Sequence, residues 1–334
     1  MKIAIIGGGW VGCHLAYKLK NNHDITVFEK DEKIFNGTSY KNQNRLHYGY
    51  HYARNHKTRE LCKSTFYKFI DDYGFCVTDI LKNFYCVPKK MSLLDLESYL
   101  KIFNDYPIKL TNHNFINTEG CILTNEKHIN FEKVRSFFEK ELSDLIVYES
   151  IDTVKLKKLS KNFDLVIDST NNFMGLINDD FFYELTLTLI YEKINPTEFD
   201  SVTFVDGELF SIYPYKDNKF TLTDVKLTPL NRFTTIDSIE EYSKNINDIF
   251  ILDKKNEFEK RVLKFMGDFN EHFKYDTYFL SIKSKVNDES GNRYPVIKKE
   301  NNIITCFTGK IQGIYIIENK IKEIINNEEN TNLL

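Results

Sequence analysis

Long apolar runs are missing from the sequence. The apolar stretch that opens the chain, Lys2 to Ile6, gives way to glycines at Gly7. It is far shorter than a signal-peptide core or the roughly 20 residues of a membrane-spanning helix. We therefore expect neither a signal peptide nor a stable membrane anchor. Repeats and low-complexity linkers are also lacking.

A strong excess of charge of either sign is missing as well. The 45 Lys and Arg against 48 Asp and Glu give a formal net charge of −3. This balance does not indicate a nucleic-acid partner or a polybasic membrane-binding segment. A small-molecule substrate, neutral or anionic, is the expected partner, and the sequence leaves the oligomeric state open.

Cysteines are few and far apart: Cys13, Cys62, Cys76, Cys86, Cys121 and Cys306. None of them forms a CxxC pair, so the spacing suggests neither a zinc site nor a disulfide framework. A reducing compartment fits this pattern best, and we expect a cytoplasmic protein.

The first thirty residues organise the rest of the chain. Lys2 to Ile6 is suited to a buried parallel strand, and a helix is expected to start shortly after it. Between them lie three glycines at GxGxxG spacing: Gly7, Gly9 and Gly12. A second apolar strand, Ile25 to Phe28, then ends at Glu29. This order of strand, glycines, helix, strand and acid predicts a dinucleotide-binding βαβ unit.

Each residue of this unit has a physical task. Gly7 permits a tight turn, Gly9 lets the backbone approach a pyrophosphate, and Gly12 lets the helix pack on the strand. The N-terminus of the helix favours the pyrophosphate through its N–H groups and its dipole. Glu29 is placed to accept hydrogen bonds from ribose hydroxyls.

The length of 334 residues predicts two packed lobes. Helices are expected at His56–Tyr73, Ser92–Asn104, Asn130–Leu142, Ser238–Phe250, Asn256–Phe273 and Ile311–Ile325. Strands are expected at Phe84–Val87, Ile146–Val154, Asp164–Ser169, Leu185–Ile194, Ser201–Val205, Leu209–Pro214, Lys219–Val225, Thr277–Val286 and Ile303–Phe307. A frayed tail is expected over Asn326–Leu334.

Several segments carry a resemblance to a known family. The N-terminal unit, the segment NQNRLHYGYHYARNHKTRELC, the strand FDLVIDSTNN and the turn FTGKIQG resemble FAD-dependent oxidoreductases of the D-amino-acid oxidase superfamily. This group includes glycine oxidase and L-2-hydroxyglutarate dehydrogenase. The resemblance is closer still to FAD oxidoreductases associated with bacterial surface-polysaccharide synthesis. The chain departs from the family at Ser169, Thr170 and Asn171, where Ala-Thr-Gly is usual, and at Lys310.

The resemblance implies an α/β fold of the D-amino-acid oxidase or glutathione reductase type 2 class. A Rossmann-like FAD-binding domain would comprise residues 1–73, 130–172 and 294–334. A substrate domain with an antiparallel sheet would comprise residues 74–129 and 173–293. The expected FAD contacts are Gly7, Gly9, Trp10, Val11, Gly12, Glu29, Lys30, Asn44, Arg45, Leu46, Thr170, Gly309, Lys310 and Ile311.

The loop after the nucleotide unit holds the densest set of chemically active residues. Arg45 is expected to clamp a carboxylate or phosphate with two parallel hydrogen bonds, and neutral His47 to take a proton as hydride leaves the substrate. A histidine beside the flavin is alternatively a covalent attachment site. His51 and Arg54 are either part of this site or ordinary loop residues.

Three further residues complete the predicted site. Tyr215 lies two residues from Tyr213 on one strand, so both face one side, where they either roof the flavin or fill the core. Pro214 between them is expected at a strand edge or end. Arg293 resembles the family's basic residue facing the substrate, with a turn arginine as the alternative. Lys310 is expected to favour negative charge on the flavin.

These observations predict an FAD-dependent oxidoreductase that removes hydride from a CH–OH or CH–NH carbon of a small hydroxy acid, amino acid or sugar-derived substrate. Three alternatives remain open at this point. An NAD-dependent dehydrogenase would use the same βαβ unit. A flavin protein without turnover would bind FAD only, and a non-redox flavin mutase would act on a nucleotide sugar.

Overall fold

The computed structural model describes residues 1–113, 115–177, 181–287 and 291–331. The helices are α1 (Trp10–Leu19), α2 (His56–Tyr73), α3 (Leu96–Ile102), α4 (Phe131–Glu141), α5 (Thr153–Asn162), α6 (Ile236–Ser243), α7 (Asp248–Val262), α8 (Phe269–His272) and α9 (Ile314–Thr331).

The strands of the first half are β1 (Lys2–Ile6), β2 (Asp24–Glu29), β3 (Arg45–Leu46), β4 (Val77–Asp79), β5 (Asn83–Pro88), β6 (Lys109–Thr111), β7 (Thr118–Thr124), β8 (Lys127–Ile129), β9 (Ile146–Tyr148) and β10 (Leu165–Asp168). Those of the second half are β11 (Phe181–Lys193), β12 (Ser201–Phe204), β13 (Phe210–Lys216), β14 (Lys219–Asp224), β15 (Pro229–Phe233), β16 (Phe273–Val286), β17 (Val296–Glu300) and β18 (Ile303–Phe307).

One compact unit comprises Met1–Tyr40, Phe131–Phe181 and Ser284–Leu334. Its sheet has the strand order β17-β18-β10-β1-β2-β9, and only β17 at the edge is antiparallel to its neighbour. Residues Ile3 to Ile6 of the central strand are all buried, as expected for a parallel strand covered on both faces. Helices α9 and α4 pack against α1.

The other compact unit comprises Lys41–Asn130 and Phe182–Lys283. Its main sheet runs β15-β11-β14-β13-β12-β5-β7-β6, with β16 also paired to β11. Its neighbours are antiparallel except for the parallel pair β12 and β5. A small sheet, β3-β8-β4, lies in the same unit. The core is rich in buried phenylalanines, such as Phe204, Phe210 and Phe269.

The predicted α/β class, with a Rossmann-like parallel sheet and a second antiparallel sheet, is confirmed. The compact units do not follow the predicted domain bounds throughout. Residues 41–73 lie in the second unit, where β3 pairs with β8, although they were expected with the first strand. The first unit also extends to Phe181 and resumes at Ser284. The assignment of the units to FAD and to substrate stays a prediction.

Helix α2 and strands β1 and β18 have the predicted bounds. Three capping side chains start helices at unexpected places. Because of them, four predicted bounds are wrong: Ser92, Val154, Phe250 and Asn256. Asp95 accepts a hydrogen bond from Ser98 N at 2.7 Å and starts α3, which shortens the predicted helix Ser92–Asn104. Asp152 caps α5, where a strand was expected to continue to Val154. Asn247 caps α7, which shifts the break between the two helices predicted at 238–250 and 256–273.

The C-terminal tail also differs from the prediction. Helix α9 runs to Thr331, through much of the segment expected to be frayed, and the last three residues of that segment lie outside the described residues. Ile314, Ile317, Ile321 and Ile325 lie on its buried face. This apolar stripe ends at Ile325, the predicted end, and the helix continues beyond it to Thr331.

The cysteine spacing suggested no disulfide framework, but one pair of cysteines is joined. Cys86 on β5 and Cys121 on β7 are directly opposite in the strand register, with their Cα atoms 4.1 Å apart, and they form a disulfide. Cys13, Cys62, Cys76 and Cys306 are free and buried. A sequence separation of 35 residues concealed the pair, because only the pairing of β5 with β7 brings the two thiols together.

Candidate active site

The glycine turn between β1 and α1 has no room for side chains where it closes. Gly7 has a φ of +103°, which glycine adopts without strain, and its N–H donates to the carbonyl of Phe28 at 2.8 Å. A Cβ on Gly12 would lie 1.9 Å from the carbonyl oxygen of Gly7. Glycine at position 12 therefore allows α1 to approach the turn.

The N-terminus of α1 is built to receive an anion. Gly9 is the N-cap residue and has no side chain to cap the first turn. The N–H of Trp10 donates to Ser39 Oγ at 3.1 Å. Among the described residues, only Ser39 lies within 4 Å of a Cβ built on Gly9. The N–H groups of the first turn, which include that of Val11, and the helix dipole favour a pyrophosphate here.

Glu29 holds the turn together from the end of β2. Its Oε2 accepts a hydrogen bond from Gly8 N at 2.7 Å, and its Oε1 accepts one from Asp31 N at 3.0 Å. The side chain is largely buried. The neighbouring Lys30 places its ammonium 5.9 Å from the ring centre of Phe173. The contacts of Glu29 with a ribose, and of Lys30 with FAD, stay predictions.

The Trp10 side chain serves the core of its unit. It is 7% exposed and makes edge-on contacts with Phe35 and Phe138, with ring centres 5.2 and 6.1 Å away. The Trp10 ring packs against these two phenylalanines. If Trp10 contacts FAD, as predicted, we therefore expect its backbone to make the contact.

The turn after β10 shows how Ser169, Thr170 and Asn171 can stand where Ala-Thr-Gly is usual. Asn171 has a φ of +64°, a left-handed conformation that asparagine tolerates better than most residues other than glycine. Ser169 Oγ donates to the carbonyl of Ile6 at 2.8 Å. Asp168 accepts hydrogen bonds from the N–H and Oγ1 of Thr170 at 2.9 and 2.6 Å. The turn therefore keeps a glycine-like backbone with other residues, and Thr170 is held beside it.

The C-terminal turn brings together Arg293 and Gly309. A Cβ on Gly309 would lie 3.1 Å from the Cα of Arg293 and 2.7 Å from its Cδ. Thr308 Oγ1 donates to the carbonyl of Lys310 at 2.7 Å. A single 3₁₀ turn, Ile311–Gly313, then leads into α9. The contacts of Gly309, Lys310 and Ile311 with FAD stay predictions.

Asn44, Arg45 and Leu46 belong to the small sheet of the second unit. Asn44 has a φ of +51°, and its carbonyl accepts a hydrogen bond from Ile129 N at 2.8 Å. Arg45 is opposite His128 in the pairing of β3 with β8, and Leu46 is fully buried. This sheet fixes the start of the loop that carries His47.

Glu126 is the centre of a buried polar cluster that the sequence did not reveal. Its Oε1 accepts hydrogen bonds from His47 Nδ1 at 3.2 Å and from Tyr48 N at 2.9 Å. Its Oε2 accepts one from the hydroxyl of Tyr85 at 2.6 Å. Burial alone raises the pKa of Glu126, but the attraction and hydrogen bond of His47, together with Arg45 and Tyr85, lower this pKa to about 2.

Arg45 is buried in the same cluster. Its Nη1 donates to the hydroxyls of Tyr85 and Thr203 at 3.0 and 2.8 Å and lies 3.8 Å from Glu126 Oε2. The guanidinium carbon is 3.9 Å from the ring centre of Tyr213. Only 4% of the side chain is exposed. The role of Arg45 as a substrate clamp stays a prediction. Its Nη1 is engaged in this cluster, whereas Nε and Nη2 are buried without a hydrogen-bond partner among the described residues.

The two tyrosines of β13 are both buried. The hydroxyl of Tyr213 donates to the carbonyl of Lys127 at 3.0 Å, and the ring of Tyr215 is 5.7 Å from that of Phe279. Pro214 was expected at a strand edge or end, but β13 continues past it to Lys216. Pro214 lies inside β13 at a shift of the register with β14, an irregularity at which proline is tolerated.

The other loop residues differ in their surroundings. The His51 ring centre is 6.0 Å from that of His47, and the Tyr52 ring centre is 5.5 Å from it. Arg54 pairs with Asp206, and half of its side chain is exposed. His51 therefore lies beside His47, whereas the guanidinium of Arg54 is directed to an ion pair.

Comparison with known proteins gives this geometry a family. Residues 2–86 match the family described as FAD-dependent oxidoreductase. The FAD-dependent monooxygenase FPY4 of Fusarium mangiferae is 30% identical to the chain over 341 residues, which cover 98% of the chain and 91% of that relative. The chain belongs to this family of FAD-dependent oxidoreductases. The FAD-dependent monooxygenase kojA of Aspergillus flavus is 24% identical to the chain over 374 residues, which cover 98% of the chain and 86% of that relative.

Solved structures share the fold at low sequence identity. Glycine oxidase from Geobacillus kaustophilus has a TM-score of 0.70 at 11% identity, over 98% of this chain and 94% of its own. L-α-glycerophosphate oxidase from Mycoplasma pneumoniae, solved with FAD bound, has a TM-score of 0.68 at 13% identity, over 97% and 94% of the two chains. The protein is thus an FAD-dependent oxidoreductase with the glycine oxidase fold.

The residues present fit the cofactor of the family. The helix N-terminus after the tight Gly7 turn receives no cap from its own N-cap residue, Gly9, and position 12 excludes any side chain. FAD is the cofactor, and this turn would hold its pyrophosphate. Among the described residues, no cluster suited to a metal ion is found. Within the same residues, no helix is long and apolar enough to cross a membrane.

Sequence reasoning missed Glu126 and Tyr85. Glu126 is 79 residues from His47 in the chain, and it lies in the short link between β7 and β8. No motif marks it, because a single acid between two strands is common. Only the pairing of β3 with β8 indicates that this link approaches the start of the His47 loop.

Proposed function

We propose that the enzyme removes hydride from a CH–OH or CH–NH carbon of a small hydroxy acid, amino acid or sugar-derived substrate. His47 is the base that takes the proton from the hydroxyl or amino group. The bound FAD supplies the hydride acceptor. The observation that carries the proposal is the buried pair of His47 Nδ1 and Glu126 Oε1 at 3.2 Å, because an oriented imidazole is suited to general-base catalysis.

The proposal assigns different tasks to the two arginines. Arg45 provides the positive charge that balances Glu126, since it is buried at 3.8 Å from that carboxylate. Arg293 binds an anionic group of the substrate. This role is supported by the close packing of Arg293 on the Gly309 turn and by the family resemblance of its segment. A separate resemblance, that of the segment NQNRLHYGYHYARNHKTRELC to FAD oxidoreductases associated with bacterial surface-polysaccharide synthesis, supports a sugar-derived substrate in surface-carbohydrate synthesis.

The first test is anaerobic bleaching of the purified, FAD-loaded protein by hydroxy acids, amino acids and surface-sugar intermediates. Bleaching by one class identifies the substrate class. A protein that is bleached by none, yet acts on a nucleotide sugar after reduction, is a mutase instead. Acid precipitation shows whether the flavin is covalent, because a free flavin leaves with the supernatant.

Replacement of the base tests the proposed mechanism. We expect His47→Ala to slow flavin reduction by about 10²- to 10⁴-fold, the usual loss when general-base assistance is removed. FAD should stay bound. The matched control is His56→Ala, which removes an exposed histidine at the start of α2 and should leave the rate unchanged. A parent-like rate in His47→Ala with every accepted substrate would exclude His47 as the base.

Monooxygenation is a second candidate, because relatives along the whole chain are named FAD-dependent monooxygenases. Such a reaction transfers one oxygen atom of O₂ to the product, whereas the proposed oxidation of a CH–OH carbon transfers none. Turnover under ¹⁸O₂ followed by mass spectrometry of the product separates the two. Incorporation of ¹⁸O would favour monooxygenation.

A further inference from the structure

Glu126 makes more contacts than the formation of a simple ion pair requires. It is fully buried between β7 and β8. Its Oε1 faces the loop of His47, where the N–H of Tyr48 at 2.9 Å and that of Gly49 at 3.4 Å also donate to it. One carboxylate oxygen therefore fixes both the His47 ring and the backbone that follows it.

The other side of Glu126 keeps the carboxylate charged. Tyr85 donates to Oε2 at 2.6 Å, and Arg45 lies 3.8 Å from the same oxygen. Arg45 is in turn held by Thr203 at 2.8 Å and by the ring of Tyr213. A buried carboxylate without such partners would be strongly disfavoured. The cluster thus maintains a negative charge beside the imidazole.

We propose that Glu126 is the positioning residue of His47. It accepts the hydrogen bond of Nδ1–H, which leaves the lone pair on Nε2 as the site that takes the substrate proton. The proton moves from the substrate hydroxyl or amino group to Nε2, and Glu126 stabilises the resulting imidazolium without accepting a proton. This inference rests on the proposed function, in which His47 is the base.

The substitution Glu126→Gln tests this role, because an amide keeps the shape of the side chain and removes its charge. We expect flavin reduction to slow by about 10- to 100-fold, as for the loss of residues that orient a metal-ligating histidine. FAD binding and the KM should change little. The substitution His47→Ala combined with Glu126→Gln should be no slower than His47→Ala alone, since Glu126 acts only through His47.

The pH profile gives a readout that a purely structural role would not move. The charged or titratable groups beside His47 include Glu126 directly, Arg45 through Glu126, and the neighbouring His51 and Tyr52. Removal of the Glu126 charge makes the imidazolium less stable, so the pKa of His47 should fall. Because the base must be neutral, the acid limb of the rate profile should move to lower pH in Glu126→Gln.

The matched control is Asp224→Asn in the same compact unit. Asp224 is also buried and pairs with an arginine, Arg261, at 2.5 Å. Its neutralisation measures the general effect of removing a buried carboxylate, and the acid limb should stay where it is in the parent. An equal shift in both variants would overturn the role of Glu126.

The possible results separate this inference from the proposed function. If His47→Ala is slow while Glu126→Gln keeps the parent rate and pH profile, the inference is overturned and His47 remains the base. If His47→Ala keeps the parent rate, the part of the proposed function that fails is the assignment of His47 as the base. Should Glu126→Gln not fold, ¹⁵N NMR of the parent decides, with the His47 signal identified by its loss in His47→Ala. A neutral ring with its proton on Nε2 would overturn the inference.

Discussion

At the scale of single residues, the glycines of the first turn differ in what they tolerate. A Cβ on Gly12 meets the Gly7 carbonyl at 1.9 Å, whereas a Cβ on Gly9 meets only the Ser39 side chain, at 2.9 Å for Oγ. A backbone oxygen cannot move aside as a serine side chain can. Gly12 is therefore required by the fold, whereas the proposed role of Gly9 is to leave space for a pyrophosphate.

We expect Gly12→Ala to lower the free energy of unfolding by about 1–3 kcal/mol or more, the usual range for overpacking. Gly9→Val should fold but bind FAD weakly. Chemical denaturation and the visible absorption of the flavin measure the two effects. Gly37→Ala is the control, because a Cβ there meets no described atom within 4 Å. Full FAD retention by a folded Gly9→Val protein would contradict the proposed pyrophosphate site.

Asn171 shows how another residue can replace a glycine. Its φ of +64° is costly for a residue with an ordinary Cβ, by about 1–2 kcal/mol. We expect Asn171→Ala to lower the free energy of unfolding by about that amount and Asn171→Gly to lower it less, although both lose the 3.3 Å hydrogen bond to Ser284. Denaturant titration measures the difference. Equal losses would mean that the hydrogen bond, and not the backbone conformation, explains the choice of asparagine.

At the scale of elements, a buried contact between a histidine and a glutamate joins helices α1 and α9. His14 on α1 lies 3.1 Å from Glu318 on α9, with side chains 0% and 7% exposed. The ring of Tyr315 packs edge-on against His14. Burial alone raises the pKa of Glu318, but hydrogen bonds from His14 and Lys322 lower it from 4.5 to about 2.

This shift predicts a pH dependence of stability. A carboxyl whose pKa is lower in the folded state stabilises the fold above its unfolded pKa, and the effect is lost as the pH falls. We expect Glu318→Gln to lower the free energy of unfolding by up to about 3 kcal/mol at neutral pH. The difference from the parent should shrink between about pH 4.5 and pH 2. Denaturation at a series of pH values measures it.

The control for this prediction lies on the same helix. Glu323 pairs with Lys320 at 2.9 Å, but its side chain is 57% exposed. Exposed pairs contribute little to stability, so Glu323→Gln should have the stability of the parent at every pH. A Glu318→Gln difference that does not change with pH would show that packing, and not charge, accounts for the contribution of Glu318.

At the scale of the whole molecule, the Cys86–Cys121 disulfide bears on where the protein resides. A loop of this length gives an expected stabilisation of about 3–4 kcal/mol, and disulfides persist in oxidising compartments. The cytoplasmic location predicted from cysteine spacing stays a prediction, and this pair weakens its basis.

We expect the denatured, unreduced protein to expose four reactive thiols, those of Cys13, Cys62, Cys76 and Cys306, and six after reduction. Alkylation during acid lysis of the source cells, followed by mass spectrometry, counts them without oxidation by air. Six thiols before reduction would mean that the pair is reduced in the cell, which would support the cytoplasmic prediction. Denaturation with and without reductant measures the stabilisation.

The sequence by itself determined the features that depend on neighbours in the chain. The nucleotide unit from Lys2 to Glu29, the bounds of α2 and the strand β18 were all predictable, because apolar periodicity and turn residues act over short distances. A dinucleotide site followed from the same segment, since a strand, a glycine turn and a helix N-terminus in this order form an anion site. FAD in particular followed from the resemblance of several segments to a known family. The family and its chemistry could therefore be expected from contiguous residues.

The tertiary structure alone decided how distant residues meet. Strand pairing placed Arg45, the expected substrate clamp, in a buried cluster beside Glu126, and it joined Cys86 to Cys121. It also placed Glu126 on His47 across 79 residues of chain. Such contacts depend on which strands are neighbours and in which register, and a residue pattern along one strand does not specify its partner. The groups that orient the proposed base were therefore beyond the reach of the sequence.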